Sequence, residues 1–522
     1  MSDIAALVAN NLDIWTGAIE RKSRAGRGGG GKRISLYGIE QLRALIFDLA
    51  AAGKLITGPT SQAEKLGKHV DLVMGQAPPG NACNTNGDGT IFVKTGEFGQ
   101  RYPEIREWTT KPLKLAKSGD VLICVVGATI GKLNLAIDCA IGRSVAAIRP
   151  KPSLDTNYLY YALMPFTLRL RVGARGSAQG VIGKAELNAV SIRVPPLAEQ
   201  RRIVAKVDEL MALCDALERE SADALAAHQT LAETLLATLA NSADATDLAA
   251  NWARLESHFD TLFTTEASID ALKQTILDLA VRGKLVEQDE RDDNAENVAA
   301  EVQRLMRAKG IKDHKSAQEI NESELPFPIP TSWRWVKLGS FAKLWNGFAF
   351  KSNDFGSEGV PVVRIGDLQN GEVNITGAMR VPEKVALQTK PQFWIPENAL
   401  LIAMSGATTG KTAFNRTGHR LLLNQRVGML EIFIGEPDYL RFFFETIITH
   451  NLAISAGSAI PNLSAEQIND TCFPLPPLAE QQRIVAKVGE LMGLCDALKA
   501  RLADAAETSR YLADAITERA AA

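Results

Sequence analysis

Glycine-rich segments in this sequence resemble the phosphate-binding loops of nucleotide enzymes. Gly26–Lys32 fits G-x-x-x-x-G-K, but Arg33 stands where a Ser or Thr should bind magnesium. Gly406–Thr412 (GATTGKT) follows a strand-like run, yet only three residues separate its glycines, and the related Gly127–Leu133 (GATIGKL) lacks the hydroxyl altogether. The segments therefore predict no ATP site. A Gly-rich turn that offers backbone amides and a lysine is better suited to a DNA phosphate.

The sequence carries no other motif that would support catalysis. It lacks the Asn-Pro-Pro-aromatic motif that holds a flipped adenine, and its single Pro-Asp pair, Pro437-Asp438, precedes no nuclease-like acidic-x-Lys triplet. G-x-S-x-G and H-E-x-x-H are also missing. Six cysteines without Cys-x-x-Cys spacing and six scattered histidines provide no zinc framework. We expect a non-catalytic chain with no metal site and with reduced, mostly buried thiols.

The composition indicates a globular protein of several domains, with 522 residues, 46% of them hydrophobic and 23% charged. The longest apolar runs, such as Val121–Gly127, fall short of the ~18 residues that cross a bilayer. Asp3 stands where a secretory signal would need cations. We therefore expect a cytoplasmic protein without a membrane segment.

The net charge of −2 conceals an uneven distribution. Residues 61–195 contain 17 Lys and Arg against 10 Asp and Glu, and residues 331–474 contain 13 against 12. The remaining segments are therefore acidic. A basic first module on an acidic frame predicts contact with a polyanion through that module.

Polar and basic residues in the loop-like segments of both modules are the candidate DNA contacts. Asn424-Gln425-Arg426 offers side chains that can form bidentate contacts with base edges. Any single Lys or Arg is more often a solvated surface charge, so the prediction concerns the set rather than each member. The candidates are Gln76, Lys94, Lys132, Arg143, Arg169, Arg171, Arg175, Lys184, Lys351, Arg364, Lys411, Asn424, Gln425, Arg426 and Asn462.

Two internal repeats divide the chain. Pro195–Glu218 and Pro476–Lys499 are identical at 20 of their 24 positions. Leu42–Ile56 matches Leu272–Val286 more loosely, and each copy ends in Gly-Lys-Leu, which is typical of a helix C-terminus. The chain is a tandem duplication in which two helical blocks alternate with two longer, more divergent segments.

Apolar residues in the helical blocks follow one another in steps of four and three, continuing to Leu231 and Leu235 in the first copy and to Leu512 in the second. Such heptads predict long helices that form a coiled coil, with two amphipathic helices on separate domains as the alternative. The stripe begins with Ile203, Val207, Leu210, Cys214 and Leu217 in the first copy, and with Ile484, Val488, Leu491, Cys495 and Leu498 in the second.

The divergent segments share landmarks in the same order, with Val121–Lys132 answering Leu400–Lys411. Each contains short strand-like runs separated by Gly, Asn and Pro, followed by one helical stretch. We expect two homologous mixed α/β domains. A scaffold that is kept while its contents diverge is typical of two binding modules with different targets.

The paired PPLAEQ blocks, together with LPFPIPTSWRWVKLGS (Leu325–Ser340), MGQAPPG (Met74–Gly80) and GSAIPNLS (Gly457–Ser464), resemble the specificity subunit of type I restriction-modification enzymes. The resemblance covers nearly the whole chain. It implies an α+β fold in which two target recognition domains are joined by two long helices, packed as an antiparallel coiled coil with pseudo-two-fold symmetry. The first module departs from the pattern, with GSAQGVIG (Gly176–Gly183) where the second has GSAIPNLS.

The expected organisation has five parts. They are an N-terminal helical segment at 1–60, recognition domains at 61–196 and 326–475, a central helical spacer at 197–325 and a C-terminal helix at 476–522.

The resemblance also implies partners. Each recognition domain would read half of a bipartite site in double-stranded DNA, and the helices would set the spacing and dock methyltransferase subunits. Catalysis would belong to those subunits, using S-adenosylmethionine, and to a restriction and translocase subunit using ATP and Mg. This chain itself would bind no cofactor. A coiled-coil scaffold without DNA specificity and a stand-alone enzyme are the alternatives.

Overall fold

A computed structural model describes residues 4–22, 33–56, 61–127, 129–173, 181–242, 245–311, 320, 325–406, 408–455 and 463–521. The chain divides into two compact units: unit 1 comprises residues 1–226 and 503–522, and unit 2 comprises residues 227–502. The N-terminal segment and the end of the C-terminal helix thus belong to the same unit. No helix among the described residues is long and apolar enough to cross a membrane.

Unit 1 contains a recognition domain of short strands, preceded by helices. Its helices are α1 (Ile4–Asn10), α2 (Leu12–Gly17), α3 (Tyr37–Ala52), α4 (Thr156–Gly173), α5 (Lys184–Ala189) and the first part of α6 (Leu197–Ala240). Its strands are β1 (Glu20–Lys22), β2 (Arg33–Ser35), β3 (Ala63–Lys65), β4 (Val70–Met74), β5 (Cys83–Asn84), β6 (Thr90–Val93), β7 (Trp108–Thr109), β8 (Leu115–Ala116), β9 (Val121–Cys124), β10 (Leu133–Leu135), β11 (Cys139–Ile141), β12 (Val145–Pro150) and β13 (Ser191–Arg193).

Unit 2 repeats this content with additional helices. Its helices are α7 (Ala245–Ser257), α8 (Phe259–Leu262), α9 (Glu266–Val281), α10 (Ala295–Ala308), α11 (Glu383–Ala386), α12 (Pro437–Ser455), α13 (Ala465–Asp470) and the first part of α14 (Leu478–Ala521). Its strands are β14 (Arg334–Lys337), β15 (Ala342–Asn346), β16 (Val360–Val363), β17 (Leu368–Gln369), β18 (Gly371–Val373), β19 (Arg380–Val381), β20 (Trp394–Ile395), β21 (Leu400–Ala403), β22 (Thr412–Phe414), β23 (Leu421–Leu423), β24 (Val427–Ile432) and β25 (Cys472–Leu475).

The two recognition domains have the same sheet topology. The antiparallel order β10-β9-β12-β4 in unit 1 corresponds to the order β22-β21-β24-β15 in unit 2, where β18 and β17 extend the sheet. The second sheet pairs β6 with β11 in parallel, as β16 pairs with β23. A two-stranded sheet joins the first and last strands of each domain, β3 with β13 and β14 with β25. The predicted pair of homologous mixed domains is confirmed.

The long helices α6 and α14 each contribute to both units. Residues 197–226 of α6 and 503–521 of α14 belong to unit 1, whereas residues 478–502 of α14 and 227–240 of α6 belong to unit 2. Each unit combines the start of one helix with the end of the other, which is the order of two antiparallel helices. The predicted stripe is buried at its start, but in a cluster that also contains the shorter helix of the same unit, α3 or α9, and the recognition domain.

The second half of each long helix differs from the heptad prediction. Leu231 and Leu512 are 52% and 46% exposed, whereas the adjacent Ala232 and Ala513 are buried. There the more buried positions follow steps of four, four and three, a spacing of ~3.67 residues per turn that keeps one face of a straight helix inward. Because both helices shift at equivalent positions, the shift belongs to the repeat.

The shorter helices α3 and α9 dock through equivalent ion pairs. Arg43 of α3 binds Asp215 of α6 at 2.6 Å, and Lys273 of α9 binds Asp496 of α14 at the equivalent place. Each pair lies partly in solvent and contributes about 0–1 kcal/mol. The buried leucines beneath these pairs therefore supply most of the docking energy.

The Gly-Lys-Leu repeat caps helix ends. Its glycine has positive φ in both copies, 69° and 70°, and this terminates α3 and α9. The lysine that follows donates to a carbonyl at the end of a long helix: Lys54 to Ala521 at 2.9 Å, and Lys284 to Ala240 at 3.1 Å. A cation at the helix C-terminus donates to an otherwise unpaired carbonyl and interacts favourably with the negative end of the helix dipole.

The glutamine of PPLAEQ explains why that motif is repeated. The Gln200 amide accepts from the Asp155 N–H at 2.7 Å and donates to the Pro195 carbonyl at 2.7 Å. Gln481 makes the same contacts with the Glu436 N–H and the Pro476 carbonyl, at 2.9 and 3.0 Å. Both glutamine side chains are fully buried. Each one fastens the start of its long helix to the turn that precedes α4 or α12.

We expect Gln481→Leu to destabilise unit 2 by ~2–5 kcal/mol. Leucine has a similar volume but leaves the half-buried Glu436 N–H and the buried Pro476 carbonyl without their partner, each at a cost of about 1–3 kcal/mol. Chemical unfolding monitored by hydrogen exchange checks this. Gln482→Leu is the matched control, because Gln482 is exposed. Equal loss in both variants would contradict the role of the buried amide.

Candidate nucleic-acid interface

In unit 1 the parallel pairing of β6 with β11 places two loops side by side. Val93 lies opposite Ile141, so the residues after these strands, Lys94 and Gly142, are neighbours. The Gly142 N–H donates to the Val93 carbonyl at 3.0 Å. A Cβ atom on Gly142 would lie 3.2 Å from Lys94 Cγ. Arg143, which follows Gly142, therefore emerges beside Lys94.

The loop after β4 joins the same place. The Gln76 N–H donates to the Ile141 carbonyl at 3.0 Å, and a Cβ atom on Gly75 would come within 2.1 Å of the Gly142 carbonyl oxygen. Only glycine permits this close approach. Gln76, Lys94 and Arg143 thus lie together at the ends of three strands, and we call them strand-end cluster 1.

Unit 2 builds the same frame from different side chains. The Asn424 N–H donates to the Val363 carbonyl at 3.2 Å, which places it beside Arg364. The Phe348 N–H donates to the Leu423 carbonyl at 2.8 Å, in the place that Gln76 occupies in unit 1. Strand-end cluster 2 consists of Phe348, Arg364, Asn424, Gln425 and Arg426.

An acidic residue fixes the backbone beneath the basic member of each cluster. The Lys94 N–H donates to the carboxylate of Glu97 at 2.8 Å, and the Arg364 N–H donates to that of Asp367 at 2.8 Å. The acid lies three residues after the cation in both units and closes a short turn. The carboxylate accepts a hydrogen bond from the backbone of the cationic residue, and this bond fixes the backbone from which the cationic side chain extends.

The two clusters differ in how free their cations are. The Lys94 amine pairs with Glu107, and this hydrogen bond raises the pKa of Lys94. The exposed side chains of Gln76, Arg143, Arg364, Gln425 and Arg426 bind no other residue of the described part of the chain. Because clustered guanidinium and amide groups are donors for phosphate oxygens and base edges, both surfaces are suited to DNA.

The two Gly-rich turns after β9 and β21 differ from the expectation that they offer free backbone amides. The N–H groups of Gly131 and Lys132 donate to Cys124 and Thr129 at 2.8 and 3.0 Å, and the equivalent groups in unit 2 are bonded in the same way. The Lys132 amine donates to the Phe98 carbonyl. The N–H groups of the turn in unit 1 and the Lys132 amine are therefore bonded within the domain. In unit 2, the side chain of the equivalent Lys411 is exposed.

The remaining predicted contacts lie beside the clusters or outside the described residues. Lys184 begins α5, two residues after Ile182, whose N–H donates to Val125 at 2.9 Å. Lys351 is exposed and begins a turn closed by Asp354. Arg175, Asn462 and the segment 26–32 lie outside the described residues, as do the side chains of Arg169 and Arg171 in α4.

The ten residues of the predicted apolar stripe all lie in the described parts of α6 and α14. Eight of the ten stripe residues are buried, and Leu491 and Leu498 are half-buried. Burial raises the pKa of the Cys214 thiol to about 11, so this cysteine is protonated at neutral pH. Four of the six cysteines are buried, as expected.

The duplicated mixed fold, with a surface cluster at equivalent strand ends of each unit, is the arrangement expected of a protein with two DNA specificity domains. The sequence model of the family described as "Type I restriction modification DNA specificity domain" matches residues 64–227 and 330–508. The chain belongs to this family. It is similar to the type I restriction enzyme EcoAI specificity subunit of Escherichia coli, with 32% identity over 99% of both chains.

Further relatives support the family and the fold. The EcoEI specificity subunit of Escherichia coli is 29% identical, again over 99% of both chains. A solved chain described under "complex assembly and conformational transition of the type I R-M system" covers 89% of this chain and 98% of its own, with 18% identity and a TM-score of 0.52. That likeness shows the fold. The reading of the chain as a DNA specificity subunit is confirmed.

The sequence did not indicate that Phe348 belongs to a surface cluster. This residue lies in an aromatic-rich run, Phe348-Ala349-Phe350, where apolar residues predict a core strand rather than a surface loop. Its equivalence to Gln76 could have been found from the glycine that precedes each of them, Gly347 and Gly75. Without the parallel strand pairing, no signal places it beside Asn424.

We expect Arg426→Ala to weaken specific DNA binding by ~1–3 kcal/mol and to relax the preference at one base pair, as removal of a base-reading arginine does. Binding is measured on a library of randomised half-sites. Arg501→Ala, which removes an exposed arginine from α14, is the matched control and should leave binding unchanged. A uniform loss across all sequences would assign Arg426 to phosphate instead.

Proposed function

We propose that each recognition domain reads one half of a bipartite DNA site. The observation that carries this proposal is the pair of strand-end clusters, which share one backbone frame and differ in every side chain that faces outward. Gln76 corresponds to Phe348, and Lys94 corresponds to Arg364. A frame that is kept while its contacts change is what two different half-sites require.

The long helices set the distance between the half-sites. Each recognition domain is fastened to the start of a long helix by its buried glutamine, Gln200 or Gln481. A continuous helix of 44 residues spans about 66 Å at 1.5 Å per residue, on the order of two turns of duplex. The length of the non-specific gap in the target then follows the length of the helices.

The chain itself is non-catalytic and acts in the cytoplasm through partners. Methyltransferase subunits using S-adenosylmethionine modify the site, and a restriction and translocase subunit uses ATP and Mg. The absence of catalytic motifs from the sequence and the family relationship support this division of labour.

The purified chain is assayed for adenine methylation with and without its methyltransferase subunits. Activity of the chain alone would favour an enzyme, and activity without sequence preference would favour a scaffold.

We expect insertion of seven residues after Ala226 of α6 and after Leu502 of α14 to lengthen the gap by about three base pairs. A heptad keeps the buried face of a helix within about 20°. Mapping of methylated sites reads out both half-sites and the gap together. An altered half-site with an unchanged gap would contradict the role of the helices as a ruler.

Exposed leucines at equivalent positions of the long helices are the proposed methyltransferase contacts. Leu213 of α6 is 40% exposed and Leu494 of α14 is 55% exposed, and they occupy the same position of the repeat. Because the same apolar side chain is presented once in each unit, it fits two copies of one partner. Two residues after each leucine, Asp215 pairs with a basic residue of α3 and Asp496 pairs with a basic residue of α9.

We expect Leu494→Glu to reduce the number of bound methyltransferase subunits from two to one, and the double variant with Leu213→Glu to abolish assembly. A buried charge at the contact is costly without a partner. The mass of the complex in solution checks this. Ala500→Glu, an exposed alanine of α14, is the control and should bind both subunits. Full assembly of the double variant would place the contact elsewhere.

A further inference from the structure

Position 348 of unit 2 and position 76 of unit 1 are the same place in the fold with opposite chemistry. Both residues follow a glycine that lies against the neighbouring turn: a Cβ atom on Gly347 would come within 2.0 Å of the Asn424 carbonyl oxygen, and one on Gly75 within 2.1 Å of that of Gly142. Both donate a backbone hydrogen bond to the last residue of the paired strand. The side chain therefore leaves the same backbone frame as an amide in unit 1 and as a phenyl ring in unit 2.

The Phe348 ring packs against two other rings and is still partly exposed. Its centroid lies 4.9 Å from that of Phe350 and 5.2 Å from that of Phe393. Nevertheless, 37% of the residue is exposed. The supporting rings hold its orientation, so binding would cost little conformational entropy.

The surroundings of Phe348 are those of a DNA contact rather than of a protein contact. Its carbonyl accepts from the Gln425 N–H at 2.9 Å, and the exposed side chains of Arg364, Gln425 and Arg426 belong to the same cluster. Guanidinium and amide donors around one apolar group match the major groove. There the 5-methyl group of thymine is the apolar feature among hydrogen-bonding base edges.

We propose that Phe348 contacts the methyl group of a thymine in the half-site read by unit 2. Gln76, at the same place in unit 1, has the amide that pairs with adenine instead. The residue at this position thus determines which major-groove feature of one base pair is read: the thymine methyl group in unit 2, or the hydrogen-bonding atoms of adenine in unit 1. This inference rests on the proposed function, because it presupposes that each unit reads a half-site.

The test uses the full chain in complex with its methyltransferase subunits and a DNA duplex containing its mapped target. Each thymine of both half-sites is replaced in turn by deoxyuridine, which lacks only the methyl group. We expect one replacement to weaken binding about three- to fivefold, the effect of losing one buried methyl contact. Phe348→Gln should bind the thymine and deoxyuridine duplexes equally. Phe348→Leu, which keeps an apolar side chain, should retain part of the difference.

Leu387→Gln is the matched control, because Leu387 is an exposed apolar residue of unit 2 that lies outside cluster 2. It should behave as the parent chain. Equal sensitivity to deoxyuridine in the parent and in both Phe348 variants, or no sensitive thymine at all, would overturn the inference. If the parent complex showed no sequence preference on thymine DNA, the proposed function itself would fail, and that result is visible before any replacement is made.

Discussion

A buried side-chain amide at the start of each long helix determines how a recognition domain is held within its unit. Gln200 and Gln481 pair with backbone groups on both sides of the junction, so the helix and the turn before α4 or α12 cannot separate without exposing polar groups. Hydrogen bonds of this kind gain little when formed but cost much when broken inside a protein. Separating the junction is therefore costly, and the start of each long helix is held against the domain that precedes it.

The second constraint is the parallel pairing of two inner strands. Strands β6 and β11, and likewise β16 and β23, begin far apart in sequence but end at the same edge of the sheet. Their following loops are consequently neighbours, and the glycine after β4 or β15 lets a third loop approach. Backbone hydrogen bonds join the three loops to one another, so positions other than the glycine can change their side chains while the pairing is kept.

The sequence predicted the parts of the structure that the repeat preserves. Identity between the PPLAEQ blocks predicted the duplication, the heptad spacing predicted the long helices, and shared landmarks predicted two homologous mixed domains. The heptad spacing predicted the start of the buried stripe but not the exposure of Leu231 and Leu512. The spacing of apolar residues in the sequence does not show where a helix stops following a seven-residue repeat. The clusters could not be assembled, since they depend on strand pairs that are distant in sequence. Phe348 was consequently assigned to no surface.

Net charge alone is a poor guide to which domain meets DNA more closely. Residues 61–195 are the more basic segment, but Lys94 pairs with Glu107, and Arg149 pairs with the buried Asp120 at 2.7 Å. A cation that is already paired releases few counterions from DNA, because its charge is neutralised within the protein. In unit 2 the cations of the cluster, Arg364 and Arg426, bind no other described side chain and can meet phosphate or bases directly. The nearly neutral domain therefore presents more free guanidinium groups at its strand ends than the basic one does.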